Sequence, residues 1–336
     1  MSSKLKSAIQ FIIFLSLGLG LMYFAFKNLD LDYNKVINGF KSANYFWLAL
    51  SLVISLLSHF IRAIRWNLLL EPMNLKAKKS NAFNAVMIGY LFNFAIPRMG
   101  EVSRCGVLLR TDKIPMDKSL GTVVVERVFD MIILLLITFF VFVLQFNMLF
   151  DFFSENFFLP IQYKLQQISS IWIFIFFGIG FCAVFGVYKS SKLILKSKIA
   201  VKILSVFIGF AEGFKSVFKL KQPVLFLTET TLIWILYFAN TFCLLKAFDA
   251  TSELTILAKL TILVMGTFGF AAPVSGGIGA YHIFVAKGLA LYGVTSVAGG
   301  VFGFVSHGIQ MITIMLVGSF SLIYTIILER KSLSEE

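Results

Sequence analysis

The sequence has few of the residues from which soluble catalytic domains are built. Charged residues occupy 14% of its 336 positions, and there are only three cysteines and three histidines. An ordinary soluble domain carries about 25% charged residues. Cys105, Cys182 and Cys243 lie far apart, without the spacing of a metal or redox site. We expect them to be small apolar residues in or near a bilayer.

Sequence motifs of the common enzyme classes are also missing. We find no nucleophile elbow, phosphate-binding P-loop, His-x-x-x-His zinc pair or acidic metal cluster. The Gly-Gly-x-Gly run at residues 276–279 follows no strand pattern, so it is not a dinucleotide fingerprint. We therefore expect a protein that is not an enzyme and that holds no cofactor and no metal.

Long apolar runs dominate what the sequence does contain. Apolar residues make up 58% of the chain, and 39 positions are phenylalanine. A helix needs about 20 mainly apolar residues to cross the hydrocarbon core of a bilayer. Runs near or above this length cover residues 8–26, 46–61, 131–146, 171–187, 226–245 and 301–328. They predict an all-α polytopic membrane protein with about six full transmembrane helices.

The net charge of +13 has a topological explanation. Lysine and arginine concentrate in short loops beside the apolar runs, as the positive-inside rule requires, so we exclude nucleic acid as a partner. The rule places both termini in the cytoplasm, and we expect a multi-pass protein of the bacterial cytoplasmic membrane. We expect one integral membrane domain over residues 1–331, with an amphipathic interfacial helix at about 201–220.

Two apolar segments are broken by proline and glycine. Residues 82–109 are interrupted at Pro97–Gly100, and residues 254–291 are interrupted at Pro273–Gly279. If both segments crossed the membrane, basic loops would lie outside and lysine-poor loops inside, against the positive-inside rule. We therefore predict two re-entrant helical hairpins. The hairpins occupy corresponding places in an inverted-topology repeat, about 1–148 and 169–330, although ordinary kinks are the simpler alternative.

The two breaks are the predicted substrate site. Irregular backbone at membrane depth must be buried in protein or line a cavity, and helix N-termini that begin there attract anions. Ionisable side chains near the breaks add to this, and a lipid phosphate would fit. The predicted substrate-binding residues are Asn93, Pro97, Arg98, Glu101, Arg104, Glu126, Arg127, Asp130, Pro273, Gly276, Gly277, Gly279 and His282.

A structural alternative remains open for some of these charges. Glu101 and Asp130 would then simply neutralise Arg98 and Arg127. We expect Arg62 and Arg65, at the end of the second span, to be interface anchors.

Several blocks resemble one family. Asn93-Phe-Ala-Ile-Pro-Arg-Met-Gly-Glu-Val-Ser-Arg104, Glu126-Arg-Val-Phe-Asp130 and Pro273-Val-Ser-Gly-Gly-Ile-Gly-Ala-Tyr-His282 are similar to signatures of the lysylphosphatidylglycerol synthase transmembrane region family, also called flippase-like proteins. Arg62-Ala-Ile-Arg-Trp66 fits as well. The resemblance extends over essentially the whole chain. One departure is His282, roughly where family members often have an acidic residue.

The resemblance implies a flippase-like transporter that moves a lipid or a lipid-linked headgroup between leaflets. In larger relatives an appended cytoplasmic synthase domain makes an aminoacylated lipid. We find no such domain in this sequence and expect no aminoacylation by this chain. Two alternatives stay open: a membrane-bound enzyme of lipid or glycan modification, and a partner subunit of a lipid-modifying enzyme.

Overall fold

The computed structural model describes residues 3–96, 98–154, 158–159, 162–163 and 219–335. All regular structure in these residues is helical, and we number the α-helices in chain order. They are α1 (Ser3–Asn28), α2 (Tyr33–Ser42), α3 (Tyr45–Leu70), α4 (Lys79–Ala95), α5 (Met99–Thr111), α6 (Met116–Leu144), α7 (Phe146–Phe153), α8 (Pro223–Lys246), α9 (Asp249–Ser252), α10 (Ile256–Ala271), α11 (Ala280–Ala290) and α12 (Ser296–Glu335). Short 3-10 turns lie at Glu71–Met73 and Ser275–Gly277.

Four helices of the described residues are long and apolar enough to cross a membrane. These segments are Tyr45–Met73, Met116–Leu144, Pro223–Lys246 and Ser296–Arg330. Helix α1, at the first predicted span, has 26 residues. The predicted fold class, an all-α polytopic membrane protein, is confirmed.

The first broken segment forms the pair α4 and α5. Helix α4 ends at Ala95, and α5 begins at Met99 after Arg98, whose φ is +67°. The two helices approach very closely, since a Cβ added to Gly89 would lie 2.9 Å from the carbonyl oxygen of Gly100. Such small-residue contacts let helix backbones meet in membrane proteins.

The second broken segment forms the pair α10 and α11. Gly276, Gly277 and Gly279 all have positive φ, which reverses the chain between the two helices. Gly269 on α10 packs on the backbone of Tyr281 in α11, with its added Cβ only 3.0 Å from the Tyr281 nitrogen. Both breaks are therefore tight helix–helix turns.

The chain divides into two compact units. One contains Met1–Val141 and Val217–Glu336, and the other contains Phe142–Ser216. Both broken segments and the charged residues near them belong to the first unit. The predicted span at 171–187 and most of the predicted amphipathic helix at 201–220 lie outside the described residues. The inverted repeat and the single domain stay predictions.

Candidate functional site

A buried charge cluster connects α3, α5, α6 and α8. At its centre is Glu126 of α6, which is fully buried and paired with the guanidinium of Arg62. Arg62 also lies 2.9 Å from Asp130 and donates to the Tyr237 hydroxyl at 2.8 Å. Charges removed from water are tolerated only when they are closely paired and hydrogen-bonded. The side chain of Arg62 therefore links α3 to both α6 and α8.

Two further arginines complete this cluster. Arg65 donates to Asp130 at 3.0 Å and to Thr230 of α8 at 3.0 Å. Arg104 of α5 donates to Glu126 at 2.7 Å, and its guanidinium lies 4.3 Å from the ring centre of Trp66. We define the inner cluster as Arg62, Arg65, Arg104, Glu126 and Asp130.

The expectation that Arg62 and Arg65 are interface anchors was wrong. Their side chains are 3% and 0% exposed, so they face protein rather than lipid headgroups. They lie one helical turn apart on α3, and their partners Glu126 and Asp130 lie one turn apart on α6. Residues at this spacing share one face of a helix. That spacing was the sequence signal for a paired cluster.

A second ion pair lies beside the inner cluster. Arg127 of α6 donates to Oε1 of Glu101 on α5 at 3.0 Å, with side-chain exposures of 43% and 26%. Together with Arg104–Glu126 it joins the same two helices, and each helix supplies one acid and one base. We call Glu101–Arg127 the outer pair. Its exposure makes it the pair that a substrate could reach.

A cleft opens at the outer pair. It is a half-open depression with about 10 Å³ of enclosed space, and it is lined by Val86, Gly89, Tyr90, Asn93, Gly100, Glu101, Arg104 and Arg127. Two polar atoms of these residues are buried without a hydrogen-bond partner among the described residues: Glu101 Oε2 and the Nε–H group of Arg104. Space of this size holds about one water molecule, so the cleft is a polar opening at the outer pair rather than a preformed pocket.

Asn93 shapes the rim of the cleft. Its Oδ1 accepts a hydrogen bond of 2.7 Å from the Gly100 amide at the start of α5. Amides in the first turn of a helix lack intrahelical partners, so this side chain satisfies one of them. Asn93 therefore positions the hairpin break as well as lining the cleft.

Two histidines, whose ring centres lie 4.7 Å apart, make hydrogen bonds to the backbone of the second break. The Gly279 amide donates to Nδ1 of His282 at 3.0 Å, and Nε2 of His307 on α12 donates to the Gly276 carbonyl at 2.9 Å. The His282 ring also stacks on Phe304 at 3.8 Å between centres. His282 thus positions backbone, whereas the exposed Pro273 lies before the turn.

The two breaks meet within the first compact unit. Phe94, which follows Asn93 on α4, would lie 3.3 Å from a Cβ added at Gly276. On the other side of the second break, a Cβ at Gly279 would meet the backbone of Leu21 and Met22, with the Met22 nitrogen at 2.7 Å. The second break is therefore held between α1 and α4.

The structure groups the predicted site residues into three sets. Arg104, Glu126 and Asp130 belong to the inner cluster, Asn93, Glu101 and Arg127 line the cleft, and the glycines with His282 form the second break. Arg98 is exposed and takes part in no ion pair of the described residues. Pro97 lies outside the described residues. Sequence reasoning missed Tyr237 and Thr230, which are ordinary polar residues of a transmembrane run.

The structural alternative for the acids stays a prediction, and the structure gives the ion pairs that each acid makes. Glu101 does neutralise Arg127. Asp130, however, pairs with Arg62 and Arg65.

Arg98 offers a test of backbone strain at the first break. Because Arg98 has a left-handed backbone and an exposed side chain, Arg98→Gly removes backbone strain and should raise the free energy of unfolding by up to about 1 kcal/mol. Thermal unfolding in detergent measures this change. A destabilised variant would contradict the strain argument.

In the described residues the protein is an all-helical polytopic membrane protein, with a buried charge cluster beside two helix breaks. Residues 8–318 match the family model of the lysylphosphatidylglycerol synthase TM region. The chain belongs to this family.

One curated relative is similar over part of the chain. The UPF0104 membrane protein MJ1595 of Methanocaldococcus jannaschii is 32% identical over 139 residues, which cover 40% of this chain and 40% of the relative. The match thus spans less than half of that relative's length. No solved structure matches.

Proposed function

We propose that the protein is a flippase-like transporter that moves a phospholipid or a lipid-linked phosphate headgroup between leaflets. The observation that carries the proposal is the cleft at the first break, where the outer pair is reachable and the inner cluster behind it is buried. Ionisable groups within a bilayer are costly and mark substrate pathways when they face a cavity. Membership of the family supports a role with membrane lipids.

Arg127 is the residue proposed to bind the phosphate group. Its guanidinium is the more exposed member of the outer pair, whereas the other guanidinium of the cleft, on Arg104, is already bound to Glu126. Arginine binds phosphate oxygens through charge-assisted hydrogen bonds, and its fork geometry favours two at once. Arg98, exposed at the same break, is placed to attract the headgroup on its way in.

Reconstituted vesicles test the transport activity. Purified protein should accelerate the movement of fluorescent lipids to the outer leaflet, where a membrane-impermeant quencher destroys their signal, and the rate should depend on the headgroup. A rate equal to that of empty vesicles for every headgroup would refute the proposal. Product formed from a lipid-linked substrate by the purified protein would instead favour an enzyme.

Arg127→Ala should slow transport at least about tenfold, because a hydrogen bond to a charged group contributes about 1.5–3 kcal/mol. Arg127→Lys keeps the charge without the fork and should retain intermediate activity. Arg110→Ala is the matched control. Arg110 lies at the other end of α5, is 72% exposed, and is 3.8 Å from Glu329 of α12. Equal losses in the Arg110 and Arg127 variants would count against a specific phosphate contact.

The proposed orientation has both termini in the cytoplasm of the host cell. It is supported by Lys76 and Lys78 between α3 and α4 and by Lys79 at the start of α4, which the positive-inside rule assigns to the cytoplasmic side. A single cysteine introduced at Lys78 in a cysteine-free variant should be protected from a membrane-impermeant thiol reagent in intact cells. Labelling of this cysteine in intact cells would show that the orientation is the opposite of the one proposed.

A further inference from the structure

A group of exposed lysines lies where α3 passes into α4 and where α5 passes into α6. None of them takes part in an ion pair of the described residues. We define the base patch as Lys76, Lys78, Lys113 and Lys118. The patch lies at the start of α4 and the end of α5. The cleft lies at the end of α4 and the start of α5, so the two surfaces are separate.

One carboxylate joins the two connections without neutralising these lysines. Oδ1 of Asp112 accepts a hydrogen bond of 2.9 Å from the Lys78 amide, and Oδ2 accepts from Asn81 at 3.1 Å and from the Thr111 hydroxyl at 2.7 Å. Asp112 thus pairs with backbone and neutral side chains rather than with an ammonium group. Its hydrogen bonds bring the lysines of the two connections to one surface.

The whole of this end of the first unit is basic. It has nine lysines and arginines and five acids, a net charge of +4. Eight of the nine cations have no ion pair within the described residues, and the ninth, Arg110, lies 3.8 Å from Glu329. The half-buried Glu229 of α8 is counted among the acids. These charges belong to residues 71–79, 110–118, 219–229 and 329–330.

The opposite end has fewer cations without a partner. Its residues 27–44, 246–259 and 287–295 contain six lysines and four acids, a net charge of +2. Lys35 pairs with Asp30 at 2.8 Å, and Lys246 pairs with Glu253 at 3.3 Å. Lys259 is buried and donates to a backbone carbonyl at 3.0 Å. Three lysines without an ion pair remain there, against eight cations at the end with the base patch.

The base patch lies where two candidate spans end. The segments Tyr45–Met73 and Met116–Leu144 have 29 residues each. A helix of this length measures about 43 Å, which matches the thickness of a bilayer including its headgroups, about 40–45 Å. Lys76 closely follows the first segment, and Lys118 lies in the first turn of the second. The lysines are therefore at the level of the lipid phosphates.

We propose that the base patch binds the phosphate groups of anionic phospholipids in the leaflet that it faces. A lysine close to a membrane surface strengthens the attraction of anionic lipids about fivefold. The position of the patch at the ends of spanning segments favours lipid over a soluble acidic partner. The inference does not depend on transport, because the patch and the cleft are at opposite ends of α4 and α5.

Two exposed serines allow the same measurement at both ends. Ser80 lies in the first turn of α4 beside the patch, and Ser42 lies beside Lys41 at the end of α2. Ser80→Cys and Ser42→Cys, each in a cysteine-free variant of the full chain, are labelled with bimane and reconstituted in phosphatidylcholine vesicles. The probes are phosphatidylglycerol, phosphatidylserine and phosphatidylcholine with the same spin-labelled acyl chain, which quenches bimane on close approach.

Both anionic lipids should quench the label at position 80 at a mole fraction at least about fivefold lower than phosphatidylcholine does. At position 42 the preference should stay below about twofold, since the lysines there are fewer and partly paired. Raising the salt concentration from about 0.1 M to about 1 M should remove the preference at position 80, because the Debye length falls from about 10 Å to about 3 Å.

Substitution of two lysines assigns the effect to the base patch. Lys78→Gln combined with Lys113→Gln should reduce the preference at position 80 at least about threefold. Glutamine keeps the Lys78 backbone amide that Asp112 binds, so thermal unfolding should not change. Arginine at both positions should preserve the preference. Lys41→Gln is the matched control, because Lys41 is exposed and has no ion pair within the described residues.

Equal quenching by anionic and zwitterionic lipids at position 80 would overturn the inference and leave a soluble acidic partner for the patch. A preference that survives both glutamine substitutions would overturn the assignment to these lysines. A preference for one anionic headgroup over the other would show recognition of the headgroup rather than of its charge, and would also contradict the inference. The vesicle transport assay tests the proposed function independently of all these results.

Discussion

Glu126→Ala should lower the free energy of unfolding by about 3–5 kcal/mol, which is the cost of removing one partner of a buried ion pair. The substitution leaves the guanidiniums of Arg62 and Arg104 without their principal carboxylate, at exposures of 3% and 4%. Glu126→Gln keeps the shape but not the charge and should also be strongly destabilised. We expect low yields of monodisperse protein and an early unfolding transition in detergent.

Two variants control for this prediction. Glu101→Ala removes an acid of the same two helices from the more exposed outer pair, and exposed pairs contribute little to stability. Glu253→Ala removes an exposed acid elsewhere in the first unit. Both should unfold close to the wild type. A Glu126→Ala protein as stable as these controls would show that the inner cluster does not hold the helices together.

The class of fold could be predicted because its signal is local. Apolar runs such as the one in α6 identify a spanning helix by length and composition alone. The hairpin breaks were equally visible, since Gly276, Gly277 and Gly279 all adopt a positive φ, which the absence of a Cβ permits. The relation between the two repeats depends in part on residues 164–218, so it stays a prediction.

The pairing of the charges could not be predicted, because partners far apart in sequence are chosen by packing. Arg62 meets Tyr237, 175 positions later, and Arg65 meets Asp130, 65 positions later. Nothing local links these residues. The helical spacing of Arg62 with Arg65 and of Glu126 with Asp130 shows only that each pair shares a face. Which faces meet is decided by the whole helix bundle.

The close contact between α4 and α5 predicts a second substitution with a large effect on stability. A Cβ at Gly100 would overlap the carbonyl oxygen of Gly89 and lie 2.6 Å from Nδ2 of Asn93. Gly100→Ala therefore forces the helices apart and strains the Asn93–Gly100 hydrogen bond. We expect a loss of about 1–3 kcal/mol from overpacking, with about 1 kcal/mol more if that bond is lost. Thermal unfolding in detergent measures the change.

Gly106→Ala provides the matched control on the same helix. A Cβ at Gly106 would have no heavy atom within 4 Å, so alanine there gains helix propensity at no steric cost. We expect Gly106→Ala to stabilise the protein by up to about 1 kcal/mol. Two identical substitutions on α5 should thus change stability in opposite directions. Because Gly100 and Asn93 also line the cleft, Gly100→Ala should slow lipid movement in the vesicle assay while Gly106→Ala preserves it. Destabilisation by both variants would indicate a general intolerance of α5 to substitution and would remove the case for a specific backbone contact at the break.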